Sequence, residues 1–162
     1  MTDKVPLREF HEIDGSDPNP EKLCIGYVEE LSAANPLLGL LGIGEDWHLA
    51  FNDPGVANFD EPFKVKVVHL DPISRQQEVA EGWFETYQDT PELAISVTIP
   101  TLYRVPKLIV SVRGDRKETI MWRTVEEAIS TDCPSTFLRM HSDATVYLDS
   151  NAATGLMDVL SQ

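Results

Sequence analysis

The sequence predicts an α+β domain with a mainly antiparallel sheet and several short-to-medium helices packed on it. Helical periodicity comes first along the chain, alternating strands interspersed with helices follow, and turn signals between strands outnumber any strand–helix–strand unit. A length of 162 residues, 42% apolar and 25% charged, fits one folded domain over residues 1–162 in which residues 1–18 form an extended N-terminal arm.

The arm is acidic and turn-rich at Asp14-Gly15-Ser16-Asp17-Pro18, with Leu7, Phe10 and Ile13 available to pin it. A helix starts behind it, with Asn19 as N-cap, Pro20 in the first position and Glu21 in the first turn. Leu23, Cys24, Tyr27, Val28 and Leu31 give it one apolar face, and it ends before Asn35-Pro36. Leu37 to Gly44 carries too many glycines for a helix interior and reads as a short buried helix or connector. Trp47 to Phe51 reads as a strand, Asn52-Asp53-Pro54-Gly55 as a turn, and Phe63 to Leu70 as a half-buried strand. A second helix is expected over Ser74–Tyr87, opened by a capping box of Ser74 and Gln77, with Val79, Ala80, Trp83, Phe84 and Tyr87 inward.

Leu93–Ile99 and Leu108–Val112 are the next strands, the latter so apolar that it should be central. Gly114-Asp115 marks the turn of a hairpin pairing Leu108–Val112 with Glu118–Arg123. Thr124–Ser130 reads as a short helix, and Thr136–Met140 with Thr145–Asp149 as a second hairpin turning at His141-Ser142-Asp143. Asn151–Leu160 closes the chain as a helix, with Leu156, Met157, Val159 and Leu160 inward.

The formal charge of −14 is unevenly spread: residues 1–92 hold 19 of the 27 acids and 6 of the 13 bases, leaving the rest nearly neutral. Arg104, Lys107, Arg113, Arg116, Lys117 and Arg123 cluster within 20 residues around the expected first hairpin. Such a balance makes free nucleic acid a poor partner and favours a protein partner or self-association, acidic face to basic face. No apolar run approaches a membrane span and the N-terminus has no apolar signal core, so a cytoplasmic setting, or the inside of an assembled particle, is expected rather than secretion. Cys24 and Cys133 stand far apart in sequence and read as buried free thiols.

No cofactor and no metal is expected. His11, His48, His69 and His141 form no HxH, HxxH or HExxH pair. Gly39, Gly42 and Gly44 give neither a dinucleotide fingerprint nor a Walker A loop, no GxSxG elbow occurs, and His141-Ser142-Asp143 are too close in sequence to form a relay. A pocket acid such as Asp46 or Glu45 beside Trp47 and His48 could do general acid or base work, although one histidine near one acid occurs by chance in most proteins.

The leading expectation is therefore a non-enzymatic interaction protein, a structural or accessory subunit of a larger assembly such as a virion or phage component. Its interaction residues are Leu102, Tyr103 and Arg104, in the loop bracketed by Pro100 and Pro106, together with Arg113, Arg116 and Lys117. A second reading is a small-ligand-binding protein or enzyme with a pocket lined by Trp47, His48, Trp83 and Trp122. A third is an acidic inhibitor that mimics nucleic acid toward a basic target.

Overall fold

The computed structural model describes residues 9–156. Leu7 of the arm, and Met157, Val159 and Leu160 of the expected closing helix, lie outside the described residues.

Helix α1 (Pro20–Ala34) forms where its signals place it: the Asn19 side chain accepts the Lys22 N–H at 3.0 Å, and Asn35, at φ 45°, ends it in the left-handed region. Leu37–Gly44 is neither helix nor connector, because Leu38–Leu41 form strand β1. Strand β2 (Val65–His69) pairs antiparallel with β3 (Leu93–Val97). Between them α2 (Pro72–Ala80) begins two residues before the expected start, capped by Asp71, whose carboxylate accepts the Ile73 N–H at 2.7 Å. It ends at Ala80 with Glu81 as C-cap, and Gly82, at φ 81°, turns the chain away, so Trp83 and Phe84 fall beyond it and Trp83 stands 71% exposed. The proline-bracketed loop contains a short helix, α3 (Ile99–Tyr103).

Neither expected hairpin forms. Glu118–Arg123 is helical, part of α4 (Glu118–Glu126), because Ile120, Met121 and Thr124 recur at helical spacing and all three are buried. Pro134–Met140 is a 3₁₀ segment, and strand β5 (Ala144–Leu148) pairs with β4 (Lys107–Val112) in parallel. Strand β1 pairs parallel to β4 on its other side, giving the order β1-β4-β5. The sheets are thus mixed: a parallel three-stranded sheet and a separate antiparallel pair, in place of a mainly antiparallel sheet. The physical reason is α4 and the segment behind it, which carry the chain back to the starting end of the sheet so that β5 must run with β4.

Strand β4 is central, as its composition predicts. Its residues Leu108, Val110 and Val112 join Ile43, Leu49, Leu102, Ile120, Met121, Leu138 and Leu156 in the core on one face of the sheet. The other face carries Leu40, 73% exposed, and Tyr147, 60% exposed. Cys24 and Cys133 are buried free thiols. No described helix is long and apolar enough to cross a membrane.

Candidate active site

Trp47 to Phe51 is not a strand. Residues 44–53 fold as successive tight turns with Trp47 at φ 68° and Ala50 at φ 53°, left-handed conformations that non-glycine residues adopt only where the surroundings enforce them. Arg123 stacks on the Trp47 ring at 3.8 Å and holds it from α4. Asn52, buried, donates its amide to the Leu49 carbonyl at 2.7 Å and the Val97 carbonyl at 2.8 Å, tying the loop to β3.

These turns deliver three polar side chains to one buried point, and α2 supplies a fourth. The Nδ1 of His48 lies 2.6 Å from Asp46 Oδ1, 3.0 Å from Asp53 Oδ1 and 2.9 Å from Ser74 Oγ. Ser74 also donates to Asp53 Oδ1 at 2.9 Å, and the Asp71 N–H donates to Asp53 Oδ2 at 3.0 Å. Asp46, Asp53 and Ser74 are between 0 and 3% exposed. Burial alone would push His48 down, but hydrogen bonds and charge from Asp46 and Asp53 outweigh it and raise it from 6.5 to about 9. Burial likewise opposes ionisation of Asp53, yet His48, the Asp71 amide and Ser74 together hold it below its ordinary value. The imidazole is therefore cationic at neutral pH, with its Nδ1 proton committed to the carboxylates. Nε2 has no protein partner among the described residues.

Gly44 sets the position of the ring. A side chain there would overlap the His48 imidazole, and the Gly44 N–H donates to the His48 carbonyl at 3.0 Å. The two buried side-chain polar atoms left unpartnered among the described residues, Asp46 Oδ2 and Trp47 Nε1, belong to the same turns. Asp46, His48 and Asp53 also present ligand atoms within 4.8 Å of one another, a spacing compatible with a metal ion. The same atoms are spaced to share a proton at Nδ1, with Ser74 and the Asp71 amide completing the network at Asp53.

His48 opens onto a cleft of about 810 Å³. Its lining includes Arg113, Arg116 and Lys117 together with Gln77, Glu78, Glu81 and Trp83. Arg116 pairs with Glu45 at 2.7 Å, and Lys117 donates to the Ile43 carbonyl at 2.8 Å. Burial lowers the Lys117 pKa while Glu45, Glu81 and Asp46 pull it upward, so this cation stands among acids from the first part of the chain.

The residues singled out in sequence thus separate. Arg113, Arg116 and Lys117 line the cleft. Leu102 is in the core, Tyr103 meets Phe137 and His141 edge-on, and Arg104 is exposed. Of the four residues expected to line an aromatic pocket, His48 and Trp83 do so; Trp47 packs under Arg123 and Trp122 lies on α4, partly exposed. His141-Ser142-Asp143 is a turn, with His141 Nε2 donating to the Val105 carbonyl at 2.8 Å. Sequence reasoning reached Asp46 and His48 but missed Asp53 and Ser74, whose turn and capping roles concealed them.

No family model matches the chain. Curated relatives do. The glucosamine-6-phosphate deaminase of Exiguobacterium sibiricum is 33% identical over 158 residues, covering 98% of this chain and 61% of the relative. That of Corynebacterium glutamicum strain R is 28% identical over 158 residues, 96% of this chain and 60% of the relative. The solved structure of a monomeric glucosamine-6-phosphate deaminase superposes with a TM-score of 0.81 at 28% identity, over 88% of this chain and 58% of that one. A 6-phosphogluconolactonase from Leishmania guyanensis shares the fold, with a TM-score of 0.64 at 20% identity over 90% of this chain and 56% of that one. The chain spans about 60% of the length of the curated relatives it matches. These relatives are enzymes, which overturns the expectation of a non-enzymatic structural or accessory subunit and, with it, the virion setting. The reading they favour is that of an enzyme with a ligand cleft.

Proposed function

We propose that this chain acts on a phosphorylated amino sugar, as the deaminases it resembles do by name, with His48 as its proton-transferring group. The observation that carries this reading is the clamp on Nδ1: two buried carboxylates and a serine hydroxyl fix one ring nitrogen and leave the other to the cleft. A ring so held is a strong hydrogen-bond donor at Nε2. It delivers its Nε2 proton to a substrate oxygen, such as that of a sugar ring as it opens, and recovers the proton afterwards; Asp46 and Asp53 offset its charge throughout. Arg113, Arg116 and Lys117 are the cleft bases suited to a phosphate dianion, which would compete with Glu45 for the Arg116 guanidinium.

The test is ammonium release from glucosamine 6-phosphate by the purified chain, read beside calorimetric binding of the same compound. Turnover supports the reading, whereas binding without turnover supports the ligand assignment alone and overturns the catalytic role of His48 in this chain. In a turning-over preparation His48→Asn lowers kcat by roughly 100-fold or more at an unchanged melting temperature measured at pH 9.5 or above, where the ring is largely neutral. Neither binding nor turnover at millimolar substrate would overturn it.

A further inference from the structure

The cleft is lined by bases and acids together, and one of its carboxylates is unanswered. Helix α2 presents Ser74, Gln77 and Glu78 at the i, i+3, i+4 spacing of a single face, with Glu81 as its C-cap, so the element that brings Ser74 to His48 brings Glu78 to the cleft one turn later. The other acids lining the cleft are engaged. Glu45 pairs with Arg116, and Glu81 accepts from Gln77 Nε2 at 2.7 Å and Trp83 Nε1 at 3.3 Å. Asp115 accepts the Arg116 N–H at 3.0 Å. Glu78 alone among these acids has no hydrogen bond or ion pair to its side chain among the described residues. It is partly buried; burial and the neighbouring Glu81 charge push its pKa up, and His48 is near enough to pull it partly back.

A carboxylate desolvated beside a like charge, with no donor of its own, is stabilised by any cation that enters the cleft. A metal ion would require several free oxygen ligands, and the neighbouring carboxylates and the Gln77 oxygen, which accepts the Glu45 N–H at 2.8 Å, are already engaged. An ammonium group needs one carboxylate and an adjacent apolar or aromatic face, which the exposed Trp83 indole offers. The bases that line the same cleft, Arg113, Arg116 and Lys117, would take the phosphate of the same molecule. Resting on the reading that this cleft takes a sugar phosphate, we infer that Glu78 is a specificity-determining residue that binds the substrate's ammonium group and so distinguishes an amino-sugar phosphate from its hydroxyl counterpart.

Calorimetric binding of glucosamine 6-phosphate and glucose 6-phosphate to the wild-type chain, Glu78→Gln and Lys117→Ala, at a pH where the sugar amine is charged, tests this. The wild type is expected to prefer the amino sugar by roughly tenfold or more, the range of a hydrogen bond to a charged group. Glu78→Gln brings the ratio close to one by weakening only the amino sugar, whereas Lys117→Ala weakens both alike. Because the Glu78 carboxylate has no internal partner to lose, Glu78→Gln keeps or raises the melting temperature. A preference that survives in Glu78→Gln would overturn the inference while leaving the sugar-phosphate reading intact; so would preference for the amino sugar only in the presence of Mg²⁺ or Ca²⁺. A wild type that binds neither sugar phosphate overturns both.

Discussion

His48 and Asp53 report on one interaction from its two ends, and that fixes how pH acts on the molecule. The folded pKa of His48 is raised, so its contribution to stability is fully present below about 6.5 and is lost as pH rises through about 9. Asp53 is lowered, so its contribution is present above 3.8 and is lost as pH falls through its folded value. Both are complete between those ordinary values, and they do not add. The alkaline loss is on the order of 3 kcal/mol, given that one pKa unit is about 1.4 kcal/mol. Melting temperature should therefore fall between pH 7 and pH 10, and His48→Asn should flatten that slope. Asp53→Asn removes one of the two charges that hold the ring cationic. Its expected effect is a drop of more than about one unit in the His48 titration midpoint followed by NMR, and an unmoved midpoint would reassign the work to Asp46.

At the scale of elements, the turns at 44–53 matter more than any regular segment. Gly44→Ala forces the His48 ring off its seat; overpacking of this kind should cost about 1–3 kcal/mol and lower the cleft's affinity for substrate together with the melting temperature. A variant that melts like the wild type would show that the ring has room to move. These turns also mark the limit of sequence reading. Helix α1 was legible because Asn19, Pro20 and Asn35 act locally, and β4 because a nearly unbroken apolar run suits a central strand. Glu118–Glu126 was misread because Gly114-Asp115, between two apolar stretches, resembles a hairpin turn, while the helical spacing of Ile120, Met121 and Thr124 spans the boundary chosen between strand and helix. Strand β1 was missed because Gly39 argues against regular structure by propensity, whereas tertiary pairing to β4 overrides it. Asp46 and His48 are neighbours in sequence and were visible as a pair. Ser74 lies 26 residues beyond His48, and only the placement of α2 unites them.

Across the whole molecule, the lopsided charge proves to be partly a property of chain order. Arg116 folds onto Glu45, and Lys117 sits near Glu45, Glu81 and Asp46, so bases from the neutral part interleave with acids from the first part around the cleft. Parallel sheets ordinarily carry cover on both faces, and among the described residues this one is covered on one. Strand β1, Leu38-Gly39-Leu40-Leu41, is an edge of that sheet and carries no lysine, proline or bulge to discourage another strand from pairing with it. A net charge of −14 opposes such pairing by mutual repulsion. Added salt screens that repulsion and leaves the leucines untouched, so light scattering should rise with ionic strength, the reverse of what association between oppositely charged faces would give. Leu40→Lys should suppress the rise. The bare edge thus makes shelf life in concentrated solution a question of ionic strength.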